Sequence, residues 1–156
     1  MTRIKPNYFF IPLFVIITAS AASYFADTGR VWYKTINLPD WTPSNSLMVI
    51  MWTIIYILTS LSILIIWNKY SSEKKFGVVI SLFVLNALFI VGWNILFFSN
   101  QMMSLAFIQA VLLIVNLFFL VLLIWRFSPL AAYLLLPYSA WVIFSTALTL
   151  NVWILN

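Results

Sequence analysis

The chain has no cysteine and no histidine among its 156 residues, and only three acidic side chains. Without cysteine there is no disulfide framework, thiolate metal site or cysteine nucleophile, and without histidine the commonest metal ligand and general base are both missing. Charged residues make up 7% of the sequence against 65% hydrophobic ones, so few positions remain to cover a soluble core with a polar shell. The composition is that of a membrane protein. The net charge of +5 does not point to nucleic acid, because the eight basic residues sit in short segments between apolar runs and form no continuous stripe. They read as orientation signals.

What the sequence has in abundance is long apolar runs. Five of them, about Asn7 to Ala26, Ser44 to Trp67, Phe76 to Phe98, Met102 to Trp125 and Pro129 to Leu155, each come near the roughly 20 residues that a spanning helix requires. None contains Asp, Glu, Lys or Arg. Backbone polar groups must be satisfied within the hydrocarbon, and long runs without alternation fit helices rather than barrel strands. The expected fold is all-α, a single bundle of five transmembrane helices over residues 1–156 with one long connector at 27–43. The three-residue connector Ser99 to Gln101 makes the third and fourth helices an antiparallel hairpin. The first run follows Arg3 and Lys5 as a signal peptide would, but it exceeds the usual signal core and is expected to stay as a span.

Six Lys and Arg residues (Arg3, Lys5, Lys69, Lys74, Lys75, Arg126) fall on one side of this arrangement and only Arg30 and Lys34 on the other. The basic excess marks the cytoplasmic face, which puts the N-terminus inside and the long connector and C-terminus outside. Trp52 then lies roughly 12 Å below the outer helix end, deeper than an interfacial belt. Tyr56 shares its face. Tyr138, Trp141, Ser145 and Leu148 follow a helical spacing on the fifth span, Asn86 and Trp93 align on the third with Asn94 beside them, and Gln109 and Asn116 align on the fourth. Such residues form either the walls of a pocket or the filling of a bundle. Trp67, Tyr70, Trp125 and Trp153, near span ends, fit an aromatic belt. Gln109 and Asn116 fit interhelical bridges. Trp52 and Trp141 need a partner for the indole N–H or a cavity wall to form.

The segments WYKTINLPDWTPSNSLMVIMWTIIY (Trp32 to Tyr56) and LLLPYSAWVIFSTALTLNVWILN (Leu134 to Asn156) resemble the translocator protein family, also called the tryptophan-rich sensory proteins. The resemblance covers nearly the full chain. Pro39, Trp41 and Pro43 match the family's loop pattern, Trp52 and Tyr56 its second-helix pair, and Pro137, Tyr138, Trp141, Phe144 and Ser145 its fifth-helix pattern. The chain departs from the family at Leu38, Ser44, Ile90, Thr149 and Ile154. Leu150 and Ile154 break the sterol-recognition pattern of animal members, so sterol binding at the C-terminal segment is not expected.

The resemblance implies a pocket toward the first loop for porphyrins or haem-like molecules and other flat hydrophobic ligands. Trp32, Tyr33, Trp41 and Pro43 would form its lid, and Trp52, Tyr56, Trp93, Asn94, Tyr138, Trp141, Ser145 and Leu148 its walls. Apolar walls with few polar groups suit such a ligand on physical grounds as well. Arg30 and Lys34 are either solvated loop charges or attractants for propionates at the mouth. Only Tyr and Met remain as axial ligands for haem iron, so a tetrapyrrole would be held by its macrocycle; no cofactor and no metal site are expected.

The functional expectation is a membrane binding protein acting as tetrapyrrole sensor, carrier or stress regulator. The alternative is a light- and oxygen-dependent porphyrin-degrading enzyme that uses Trp52 and Trp141, since no acid–base pair or nucleophile supports conventional catalysis. Ion-coupled transport is disfavoured because the spans carry no ionisable acid or base. Beyond the lipid bilayer and the ligand, the resemblance suggests a homodimer, with Gly77 and Gly92 on the third helix as places for close packing.

Overall fold

The structure, a computed structural model, describes residues 5–156, so Arg3 of the orientation count lies outside the described residues. The chain crosses back and forth as α1 (Asn7–Thr28), a single turn α2 (Arg30–Tyr33), α3 (Asn45–Tyr70), α4 (Phe76–Asn94) with a π-helical turn (Ile95–Ser99), α5 (Met103–Trp125), α6 (Pro129–Tyr133) and α7 (Leu136–Leu155). Five spans are long and apolar enough to cross a membrane: α1, α3, α4 with its π turn, α5, and α6 with α7. The protein is a multi-pass, all-helical membrane bundle. Neighbours run α3, α1, α4, α5, α7, and α6 closes the ring back onto α3.

Each span buries a narrow stripe and leaves the rest apolar, because the surrounding solvent is hydrocarbon on every side. In α1 the stripe is Ile11, Val15, Thr18 and Ala22, and in α5 it is Ala106, Ala110, Leu113, Leu117, Leu120 and Ile124, both at helical spacing. Phe9, Phe10, Ile16 and Ile17 of α1 and Leu112, Val115, Phe118, Phe119 and Leu122 of α5 face outward. Pro12 stands inside α1 without ending it, as spans tolerate.

Two spans depart from the plain helices that the sequence predicts. The fifth is interrupted at Leu134 and Leu135. Pro137 has no N–H to donate and its ring collides with the carbonyl four residues back, at Tyr133, which is where α6 stops. Pro137 then occupies the first turn of α7, where the missing N–H does no harm. Ser128 caps α6 through the Ala131 N–H at 3.3 Å, and Ser62 Oγ of α3 donates to Ala131 O at 2.9 Å. The third span ends in the π turn, where the Asn100 N–H reaches Ile95 O, five residues back, at 2.9 Å. Gln101, at φ 57°, then reverses the chain into α5.

Gly92 is not a free surface for a second copy: a Cβ there would run into the Gln109 side chain, whose Nε2 donates to Phe89 O at 3.1 Å. The glycine admits an α5 amide into α4, so its close packing is within the chain. A Cβ on Gly77 meets nothing within 4 Å.

The polar centre of the bundle joins three helices. Tyr138 Oη of α7 donates to Asn86 Oδ1 of α4 at 2.9 Å, Asn86 Nδ2 donates to Asn116 Oδ1 of α5 at 3.0 Å, and Asn116 Nδ2 reaches Leu82 O at 3.3 Å. Asn86 is 2% exposed and Tyr138 1%. Removing Asn86 strands two partners, whereas removing the Tyr138 hydroxyl strands one. Asn86→Ala is expected to cost about 1–2 kcal/mol of stability and Tyr138→Phe about half of that. Equilibrium unfolding in one fixed detergent checks the ranking, and equal losses would mean that Asn86 does not link the two bonds.

Candidate ligand-binding site

The expected wall and lid residues fall into two aromatic layers at the end of the bundle where the long connector lies. In the deeper layer Trp52 sits 5.8 Å from Tyr56 and meets Tyr138 edge-on at 6.2 Å, so α3 touches α7 through rings. Trp52, Tyr56 and Trp141 are partly buried and pack on the main core. Tyr138 contributes its ring, while its hydroxyl is committed to Asn86. Trp141 stacks on Phe144 at 5.3 Å, and its indole Nε1 is buried with no hydrogen-bond partner among the described residues.

The upper layer is made by the connector itself. Trp32 and Tyr33 on α2 meet Phe97 at 5.6 and 6.2 Å, and Trp93 stacks flat on Phe97 at 4.9 Å and 9°. The π turn makes this possible. Its extra residue per turn brings Phe97, only 3% exposed, into the bundle, where Ile36, Leu38, Met48, Leu148 and Val152 complete the cluster. Gly29 permits the close approach of the connector: a Cβ there would lie 2.5 Å from Phe98 O. Asn94, by contrast, returns its amide to Ile90 O at 2.9 Å, and Ser145 is partly buried beside the layer.

Further along, the chain folds into a turn in which the Thr42 N–H and hydroxyl both donate to Pro39 O, at 3.0 and 2.6 Å. Ser44, at ψ 152°, accepts from the Leu47 N–H and starts α3. Pro43 is partly buried between the two. The turn carries Trp41 to Phe144 on α7, edge-on at 5.5 Å, although 45% of the residue remains exposed. The connector is also tied to the end of α7. The Asn37 N–H donates to Asn156 Oδ1 at 2.8 Å, and Asn156 Nδ2 donates back to Asn37 O at 2.9 Å. Arg30 pairs with Asp27 at 3.4 Å on the open surface, the fate of a solvated loop charge.

Below the deeper layer the described residues leave little room. The space bounded by Phe14, Thr18, Ile55, Tyr56, Thr59 and Tyr138 amounts to about 20 Å³, far less than a tetrapyrrole fills. No group of three metal-ligating side chains occurs among the described residues.

Residues 9–154 match the TspO/MBR family. The chain belongs to the TspO/MBR family. It is 32% identical over 147 residues to an uncharacterized membrane protein, YtaB, of Bacillus subtilis, covering 91% of this chain and 92% of that one. It is 30% identical to the tryptophan-rich protein TspO of Bacillus cereus, covering 81% and 82%, and 27% identical to the human translocator protein, covering 80% and 75%.

Within this TspO/MBR bundle, several contributors carried no sequence signal of their own. Phe97 and Phe98 read as two more apolar residues of a span, because a π turn has no periodicity to detect. Asn37 and Asn156 are 119 positions apart and meet only through the fold. Thr149 turns its hydroxyl proton back to Ser145 O and Asn151 one amide N–H to Ala147 O, so both donate within their own helix.

Burial against Phe97 and Phe98 pushes the Tyr33 phenol above its ordinary value of 10.0. A phenol whose pKa is higher folded than unfolded adds stability that is complete below the unfolded value and lost as pH rises through the folded one. The connector should therefore stay packed to about pH 10 and loosen above it. A spin label on Asp40→Cys, the single cysteine of that variant, would report an alkaline rise in mobility, and adding Tyr33→Phe should move that rise to higher pH. An unmoved profile would exclude Tyr33 as the titrating group.

Proposed function

We propose that the protein is a membrane binding protein for porphyrins and similar flat hydrophobic ligands, serving as a tetrapyrrole sensor, carrier or stress regulator. The observation that carries this reading is the Trp141 indole: a buried N–H without a partner among the described residues, inside a span, in a wall of stacked rings. An unsatisfied donor in a low-dielectric site costs about 1–3 kcal/mol, and a ligand acceptor relieves it. Rings that already stack on one another offer their faces equally to a macrocycle. Trp52 and Tyr56 supply the opposite wall, and Trp32, Tyr33, Trp41 and Pro43 the cover.

The same reading sets the N-terminus in the cytoplasm and the connector and C-terminus outside. Lys5, Lys69, Lys74, Lys75 and Arg126 gather at one end of the spans, and the two basic residues at the other end are Arg30 and Lys34.

Protoporphyrin titrated into purified protein should quench tryptophan fluorescence saturably. Trp141→Phe should raise its Kd about tenfold, the scale of one lost hydrogen bond to a buried donor. Unchanged affinity in both Trp141→Phe and Trp52→Phe would remove this pocket. For the cover, Trp41→Ala should speed porphyrin dissociation in stopped flow while barely changing thermal stability, and an unchanged off-rate would make Trp41 a lipid-facing belt residue.

A further inference from the structure

A threonine hydroxyl within these spans can return to its own helix by donating to the carbonyl four residues back, and four of them, three buried and the exposed Thr53, do. Thr18 donates to Phe14 O at 2.9 Å, Thr53 to Val49 O at 2.8 Å, Thr146 to Val142 O at 2.7 Å and Thr149 to Ser145 O at 2.9 Å. Thr59 does not: its Oγ1 is buried and has no partner among the described residues. Thr59 lines the cavity of about 20 Å³ between α1, α3 and α4, together with Thr18, Asn86 and Tyr138. A hydroxyl in hydrocarbon that gives up an available carbonyl is left as a costly unsatisfied donor unless something in that cavity receives it.

We propose that this cavity is a binding site for a single water molecule that bridges Thr59 to the Asn86–Tyr138 pair. The size fits, since one ordered water needs roughly 10–15 Å³ of such space and two to four polar partners. The partners are present. Thr59 has its hydroxyl proton to give. Asn86 Oδ1 has accepted one bond from Tyr138, and Asn86 Nδ2 has donated one to Asn116, which leaves one lone pair and one N–H. Tyr138 Oη and Thr18 Oγ1 each donate in the structure and keep acceptor capacity. An apolar occupant would satisfy none of these groups. A larger polar one would not fit. The water joins α1, α3, α4 and α7 at one point, and it ties α3, whose Ser62 bonds to α6, to the buried amides as well.

Solid-state NMR on the full chain in lipid bilayers tests this through polarization transfer from water to the Asn86 side-chain amide. Transfer is expected in the wild type and in Thr59→Ser, and it should be lost in Thr59→Val, which keeps the shape and removes the hydroxyl. With the water bridge gone, Thr59→Val should also lower Tm by about 2–4 °C. If the cavity is dry, wild-type transfer is absent and Thr59→Val raises Tm by removing an unsatisfied hydroxyl; either result overturns the site. Transfer that persists in Thr59→Val overturns Thr59 as a partner of the water.

Discussion

Asn86 is the residue on which the arrangement of the bundle depends. In hydrocarbon the apolar faces of α4, α5 and α7 have nearly the same free energy whether they meet lipid or each other, so apolar burial alone does not choose how each helix is rotated. The chain of bonds from Tyr138 through Asn86 to Asn116 does choose. A turn of any one helix by a single residue, about 100°, would swing an amide or a phenol toward lipid. Fixing these three rotations also aims the aromatic residues. Trp93 stands seven residues after Asn86 and Trp141 three after Tyr138, so each is carried to the inside by the polar residue below it.

Two irregularities then shape the two ends of the bundle. The π turn rotates Phe97 inward under Trp93 and Trp32, and the break at Pro137 lets the last span start close to α3 as α6 and continue as α7. The connector is held from both flanks by rings: Trp32 and Tyr33 on Phe97 and Phe98, and Trp41 on Phe144. Charge has little part in holding it, since its Arg30–Asp27 pair lies on the open surface.

How much of this could be read from the sequence follows from which forces have a period. The five spans were legible because apolar composition over about 20 residues is an average that local irregularity does not erase. Gln109 and Asn116 were legible as bridges, because a carboxamide within hydrocarbon has few other fates. The roles of Asn86 and Asn156 were not: one depends on which helix lies opposite and the other on a pairing across the fold. The interruption of the last span was written in Pro137, whose effect on Tyr133 is local stereochemistry, yet an apolar run hides it. The π turn left no mark at all, since it consists of the same ILFF residues that any span would use.

The tight packing of the two layers and the proposed ligand are compatible for an energetic reason. What the rings within each layer gain from one another is largely dispersion and edge-to-face contact, about 0.5–1.5 kcal/mol for each pair beyond burial. A flat macrocycle offers contacts of the same kind, so parting the layers around it exchanges like for like. The bonds that cannot be exchanged lie outside the stacked rings: the Asn86 triad deeper in the bundle, the Ser62–Ala131 bond toward its other end and the Asn37–Asn156 pair that ties the connector to α7. The molecule thus has a rigid polar half that keeps its helices in register and an aromatic half whose contacts are replaceable. Trp141 stands in the second half with a buried indole N–H that no group among the described residues satisfies.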